Sequence, residues 1–175
     1  DRSTPVALSL EGVQGEVYFD ERMVPHIFAE DDHQAFFIQG YVHAMHRLWQ
    51  MDFSARAGEG RLSELVGPAA VEFDRLKRRK GLAEAARQSV EHWKQDSFLL
   101  SRLEAYVRGV NARIGQMTAR DLPIEYKLLD YAPEPWDLFR SALYHKSMAE
   151  ILCGRDKDIE MNNARAFFGE DFARL

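Results

Sequence analysis

The chain has 175 residues, 46% hydrophobic and 29% charged, which is enough apolar material for one sizeable core and too much for a disordered polymer. Its formal net charge of -5 excludes the broad basic footprint of general nucleic-acid binding. No apolar run reaches the roughly 18 residues that a membrane-spanning helix needs, and a single cysteine, Cys153, rules out an internal disulfide.

Residues 1–10 show no strong pattern and read as a lead-in, beginning with Asp1 and without a basic-then-apolar leader, so a processed chain is expected. Residues 16–19 and 24–29 are β-type runs joined across 20–23, a hairpin signature. Pro25 has no N–H to donate and belongs at a strand start or edge. From Asp32 the period changes to about 3.6 through Phe36, Phe37, Tyr41, Met45 and Leu48, with Asp31 or Asp32 as the cap. Gly58-Glu59-Gly60 ends that helix, and a shorter one carrying Leu62, Leu65 and Val66 stops at Gly67-Pro68. Further helices are expected over 72–94, 97–115 and 137–152, with Pro123, Pro133 and Pro135 marking a loop-rich passage before the last. The basic run at 75–80 reads as a solvated helix face or helix end. Residues 160–175, with Phe167, Phe168, Phe172 and Leu175, read as a final amphipathic helix. The pattern predicts one mainly α unit over 1–175 with a small β element.

One helix face gathers His43, His46, Arg47 and Gln50, while Tyr41, Ala44, Met45, Leu48 and Met51 form the opposite, packing side. Two imidazoles invite a zinc reading. Zinc wants a third protein ligand, Arg47 opposes a dication, and H-x-x-H lacks the spacing and Glu of a zinc-protease helix. Polar pairing with other groups is therefore the better expectation. Cys153 lies in an apolar helical stretch and reads as core rather than nucleophile. No G-x-S-x-G, P-loop or dinucleotide glycine pattern occurs. Residue types alone stop at a helical globular subunit, with a stand-alone interaction module, docking through its Phe-rich end, as the rival reading.

A series of short blocks carries more information. DERMVPHIFA at 20–29, AFFIQGYVHA at 35–44, RLWQMD at 47–52 and GRLSELVG at 60–67 are followed by YVRGVNA at 106–112, PIEY at 123–126 and PW at 135–136. In this order they resemble the α subunit of the penicillin acylase family of N-terminal-nucleophile hydrolases, over roughly residues 16–165. The chain departs from the family at Met23, where Gly is common, and at Met45-His46 before Arg47. A Met disfavours the positive φ that Gly tolerates, so the first departure bears on a turn.

The resemblance implies an αββα fold completed by a β chain, and a periplasmic or secreted precursor that loses a signal peptide and a spacer to become a heterodimer. The β chain would begin with Ser, whose hydroxyl attacks an amide while its own α-amine, with an ordinary pKa of about 7.7–8.0, takes the proton. Asp1 is not such a nucleophile, so no catalytic residue is expected here. The expected role of this chain is to wrap the β chain and to complete an acyl pocket with Met148 and Leu152, four apart on one helix face. Ungapped counting from Trp136 selects Ala149 and Cys153 instead. The family also implies calcium, with Glu160 as this chain's ligand and Asp158 as the alternative. Substrates would be small acyl amides such as penicillins or N-acyl-homoserine lactones. Arg47, with five donors, is suited to tying loops or the partner chain together.

Overall fold

Alternation and pairing set the first layer. The structure, a computed structural model, describes residues 6–10, 12–153 and 157–174. Strands β1 (Val6–Leu10), β2 (Val13–Phe19) and β3 (Pro25–Ala29) form an antiparallel sheet in that order. Val17 stands opposite Val6 on one side and Ile27 on the other. The expected hairpin is present, with Pro25 opening an edge strand. The lead-in is a strand as well, because β2 offers it a ladder that no local pattern in residues 6–10 announces.

The hairpin turn is held by Asp20, whose Oδ1 accepts the N–H groups of Arg22 at 2.9 Å and Val24 at 2.8 Å. Met23 closes it with φ at 61°. A side chain there costs about 1–2 kcal/mol against the right-handed alternatives.

Helix α1 (Asp32–Glu59) starts at Asp31, whose side chain accepts the Gln34 N–H, and ends at Gly60 with φ at 73°. It is not straight. Arg47 leaves helical geometry (φ −138°, ψ 15°), and its Nη1 donates to the His46 carbonyl at 3.2 Å, supplying that oxygen at the break. The buried stripe runs through Phe37, Ile38, Tyr41, Val42, Ala44, Leu48, Met51 and Ala55. Phe36 lies at its exposed margin and Met45 is only half-buried, unlike the expected stripe.

After α2 (Ser63–Val66) and a 3-10 turn come α3 (Val71–Lys80) and α4 (Leu82–Trp93). The single helix expected over 72–94 divides at Gly81, which adopts φ 75° and donates to the Arg78 carbonyl. Helix α5 (Ser97–Gln116), capped by Asp96, and α7 (Leu138–Leu152), capped by Asp137, match expectation; a short α6 (Ile124–Leu128) lies in the proline-rich passage. Helix α8 (Asp158–Phe168) buries none of its residues and gives way to a 3-10 turn at Gly169, earlier than expected. Leu175 lies outside the described residues.

Helices α1 and α5 cross at two glycines. A Cβ on Gly40 would collide with the Tyr106 carbonyl, and one on Gly109 with that of Phe37. That approach brings Val110 onto Ala44, Leu48 and Met51, with Tyr126 and Trp136 closing the cluster. A second cluster of Val13, Val17, Phe37, Ile38, Val42 and Ala105 joins the sheet to the same two helices. Ala86, Val90, Ala142 and Leu143 join α4 to α7.

Replacing Met23 with Gly relieves the left-handed strain without removing a buried contact, since Met23 is exposed. Met23→Gly is expected to raise stability by about 1 kcal/mol, read as a higher urea midpoint.

Candidate functional site

Asp52 lies on the apolar side of α1 and is 1% exposed. A carboxylate there needs partners. It accepts from Arg140 Nη1 of α7 at 2.7 Å, from Arg56 one turn along α1 at 3.3 Å, and from the Tyr126 hydroxyl of α6 at 3.4 Å. Arg56 also reaches Glu134 at 2.8 Å and Glu64 at 3.0 Å, and Arg140 contacts Glu134 as well. Arg61 then joins Glu59, Glu64 and Glu134 at 2.8–3.0 Å. Asp74 of α3 accepts the N–H groups of Leu62 at 2.9 Å and Ser63 at 2.8 Å, filling the start of α2.

The charges are settled by these contacts. The hydrogen bond from Arg61 holds Glu64 below the usual carboxylate range. For Asp74, burial pushes upward but is overcome by the bonds from Ser63 and Leu62, so its carboxyl is depressed too. Burial, followed by the Asp52 charge, raises Tyr126 and pushes Tyr131 up to about 12. Arginine donors and carboxylate oxygens satisfy one another here, with both tyrosine hydroxyls held protonated: a brace, not a proton-transfer site. The blocks RLWQMD and GRLSELVG supply Asp52, Arg61 and Glu64. The sequence reading assigned no role to Asp52, Arg56, Glu134 or Arg140. The available signal was a charged pair four apart, Asp52 and Arg56, interrupting the apolar run of Leu48, Met51 and Ala55.

The accessible side of α1 is different. Phe36, His43 and Arg47 line a cavity of about 470 Å³ with Leu103 and Tyr106 of α5 and with Trp136 and Tyr144. His43 Nδ1 and the Tyr106 hydroxyl share a hydrogen bond at 3.0 Å. Desolvation by the cleft walls lowers the His43 imidazole, and burial, followed by Tyr144, pushes Tyr106 up to about 12. Both are neutral at pH 7. His46 turns instead toward β2, edge-on to Phe19 at 5.3 Å. The two histidines of H-x-x-H thus engage different neighbours, and among the described residues no group of three metal-capable side chains occurs.

Met148 and Leu152 share a face of α7 as expected and are 40% and 73% exposed; Met148 lies one turn beyond Tyr144. Ala149 is exposed as well. Cys153, expected in the core, is exposed, with its Sγ donating to the Glu150 carbonyl at 3.1 Å. The reason is that the last turn of α7 buries nothing: Ile151 and Leu152 are exposed alongside it. Glu160 and Asp158 sit in the first turn of α8, both exposed. The basic run at 75–80 is largely exposed, but Lys77 and Lys80 both bind Glu150 of α7, at 2.5 and 2.7 Å. These bonds outweigh the burial that would raise Glu150 and depress its carboxyl.

The β2–β3 hairpin from residue 14 onward, the kinked helix and the arginine–carboxylate brace lie within a stretch, residues 14–174, that matches the Penicillin amidase family; the chain belongs to that family. It is 38% identical over 137 residues to the penicillin acylase 2 proenzyme of Pseudomonas sp. (strain SE83), covering 77% of this chain and 17% of that protein. It is 40% identical over 111 residues to the acyl-homoserine lactone acylase QuiP of Pseudomonas aeruginosa, covering 63% and 13%. Among solved structures, a thermostable penicillin G acylase from Alcaligenes faecalis is similar with a TM-score of 0.72 and 26% identity, over 91% of this chain and 87% of that one. The chain therefore spans about a sixth of the length of the curated relatives it matches.

Asp52→Ala removes the buried one of the two carboxylates that Arg56 and Arg140 share, leaving only the more exposed Glu134, and is expected to cost about 3 kcal/mol, read as a fall in urea midpoint and in soluble yield. Acid should act in the same direction. Glu64, Asp74 and Glu150 titrate lower folded than unfolded, so their contribution is present above the ordinary carboxylate pKa and is lost as pH falls through their depressed values. The urea midpoint should hold from pH 7 to about 5 and drop below about 4.

Proposed function

We propose that this chain is the α subunit of a periplasmic or secreted amidohydrolase, whose larger β chain comes from the same precursor and completes an αββα fold. The family match over residues 14–174 carries the proposal. The lengths support a two-chain enzyme. The similar chain in the solved penicillin G acylase is nearly as short as this one, while the 137 residues matched in the curated proenzyme are only 17% of its length. The reaction is hydrolysis of an amide joining an acyl group to an amine. The β-chain serine attacks the carbonyl while its α-amine takes the proton, donors on the β chain hold the oxyanion, the C–N bond breaks as that proton passes to the departing amine, and water then hydrolyses the acyl-serine ester.

This chain's share is shape. Met148 and Leu152 present exposed apolar surface at the end of α7, suited to one wall of an acyl pocket. A Leu rather than an aromatic ring at 152 favours a flexible aliphatic acyl chain, in line with a relative named as an acyl-homoserine lactone acylase. Calcium would take about six to eight oxygens. Glu160 or Asp158 offers hard carboxylate oxygen in the open, which fits one ligand of such a site, with the rest supplied by the β chain. The ion would tie α8 to its partner.

Full-length precursor, expressed and purified, should separate on a denaturing gel into this chain and a larger one whose N-terminal residue is Ser. The processed enzyme should turn over a long-chain acyl-homoserine lactone faster than penicillin G, and Leu152→Phe should reverse that order. A lone 20.2 kDa species without a companion would overturn the assignment; a strong penicillin G preference would overturn the aliphatic reading.

A further inference from the structure

The cleft between α1, α5 and α7 is lined by aromatic and aliphatic side chains, yet it opens to solvent: Phe36 and Tyr144 are 36% and 39% exposed. Arg47 is the single charged residue in its lining. Its guanidinium donates to the His46 carbonyl, and among the described residues it has no ion pair. The neighbouring polar pair, His43 and Tyr106, is neutral and satisfied within itself. An apolar slot with one unspent cation at its mouth is complementary to an apolar side chain followed by a carboxylate.

We infer that this cleft is a docking site for a segment of the same precursor beyond residue 175, which inserts an apolar side chain between Phe36, Leu103 and Tyr144 and pairs an Asp or Glu with Arg47. The inference rests on the proposed two-chain reading. Two observations point to polypeptide as the occupant. The chain covers about a sixth of its curated relatives, so a large remainder is available at the high effective concentration of one molecule. The slot is also open at its side, with Phe36 and Tyr144 exposed by more than a third, which admits a side chain carried on a passing segment. The kink places Arg47 outside regular helical geometry at the point where its side chain lines the cleft.

A benzophenone amino acid in place of Leu103, introduced in the full-length precursor, reads the occupant directly after irradiation and mass spectrometry of the processed protein. The expected cross-link joins a peptide from beyond residue 175, with Asp or Glu within about two residues of the attachment. Arg47→Glu should lower the yield of processed two-chain protein about tenfold while Arg47→Lys keeps it within about twofold, and a Lys at the cross-linked acidic position should rescue Arg47→Glu. Cross-links confined to residues 1–175, joining two copies, or reaching only a small molecule would overturn the inference, as would normal yield from Arg47→Glu. If no second chain is present, the two-chain reading fails and this one with it; a second chain that the cross-links avoid removes only the docking site.

Discussion

The contact between Asp52 and Arg140 joins residues 88 apart in sequence inside a core where neither charge is tolerable alone. Apolar surfaces such as those of α1 and α7 admit small slides at little cost. A buried carboxylate that must meet one guanidinium from α7 and another from its own helix does not. The network therefore sets the register of α7 on α1. Everything on the outer face of α7, including Tyr144, Met148 and Leu152, takes its position from that register.

The brace grows outward in order of exposure. Asp52, Arg56 and Arg140 are buried; Arg61, Glu134 and Glu64 surround them with increasing access to water. Arginine suits this geometry because its planar fork addresses several carboxylates at once. Arg56 alone reaches Asp52, Glu64 and Glu134, linking α1, the α2 turn and the proline-rich passage. The result is a rigid end of the molecule from which the solvent-facing surfaces are presented.

One helix serves both the core and the cleft. Along α1, Gly40 lets α5 approach until backbones touch, and seven residues later the break at Arg47 redirects the chain. The first feature buries Phe37 and Tyr41 deeply; the second falls at Arg47, which lines the cavity beside His43. The H-x-x-H pair that looked like a metal site is divided between two neighbours, Tyr106 for His43 and Phe19 for His46.

Local chemistry determined a good part of this protein in advance. The cap at Asp31 and the apolar periodicity of α1, α5 and α7 depend on residues within a turn of one another, so they were legible in the sequence, as were the hairpin and the ordered blocks that mark the family. Tertiary structure decided what depends on distant partners. Strand β1 exists because β2 pairs with it, and Gly81 divides a continuous helical pattern. Cys153 is exposed because the end of α7 finds nothing to pack against, and Asp52 is a buried brace because Arg140 and Tyr126 arrive from elsewhere in the chain. A charge four residues from another reads as a solvated helical pair until the fold removes the water around it.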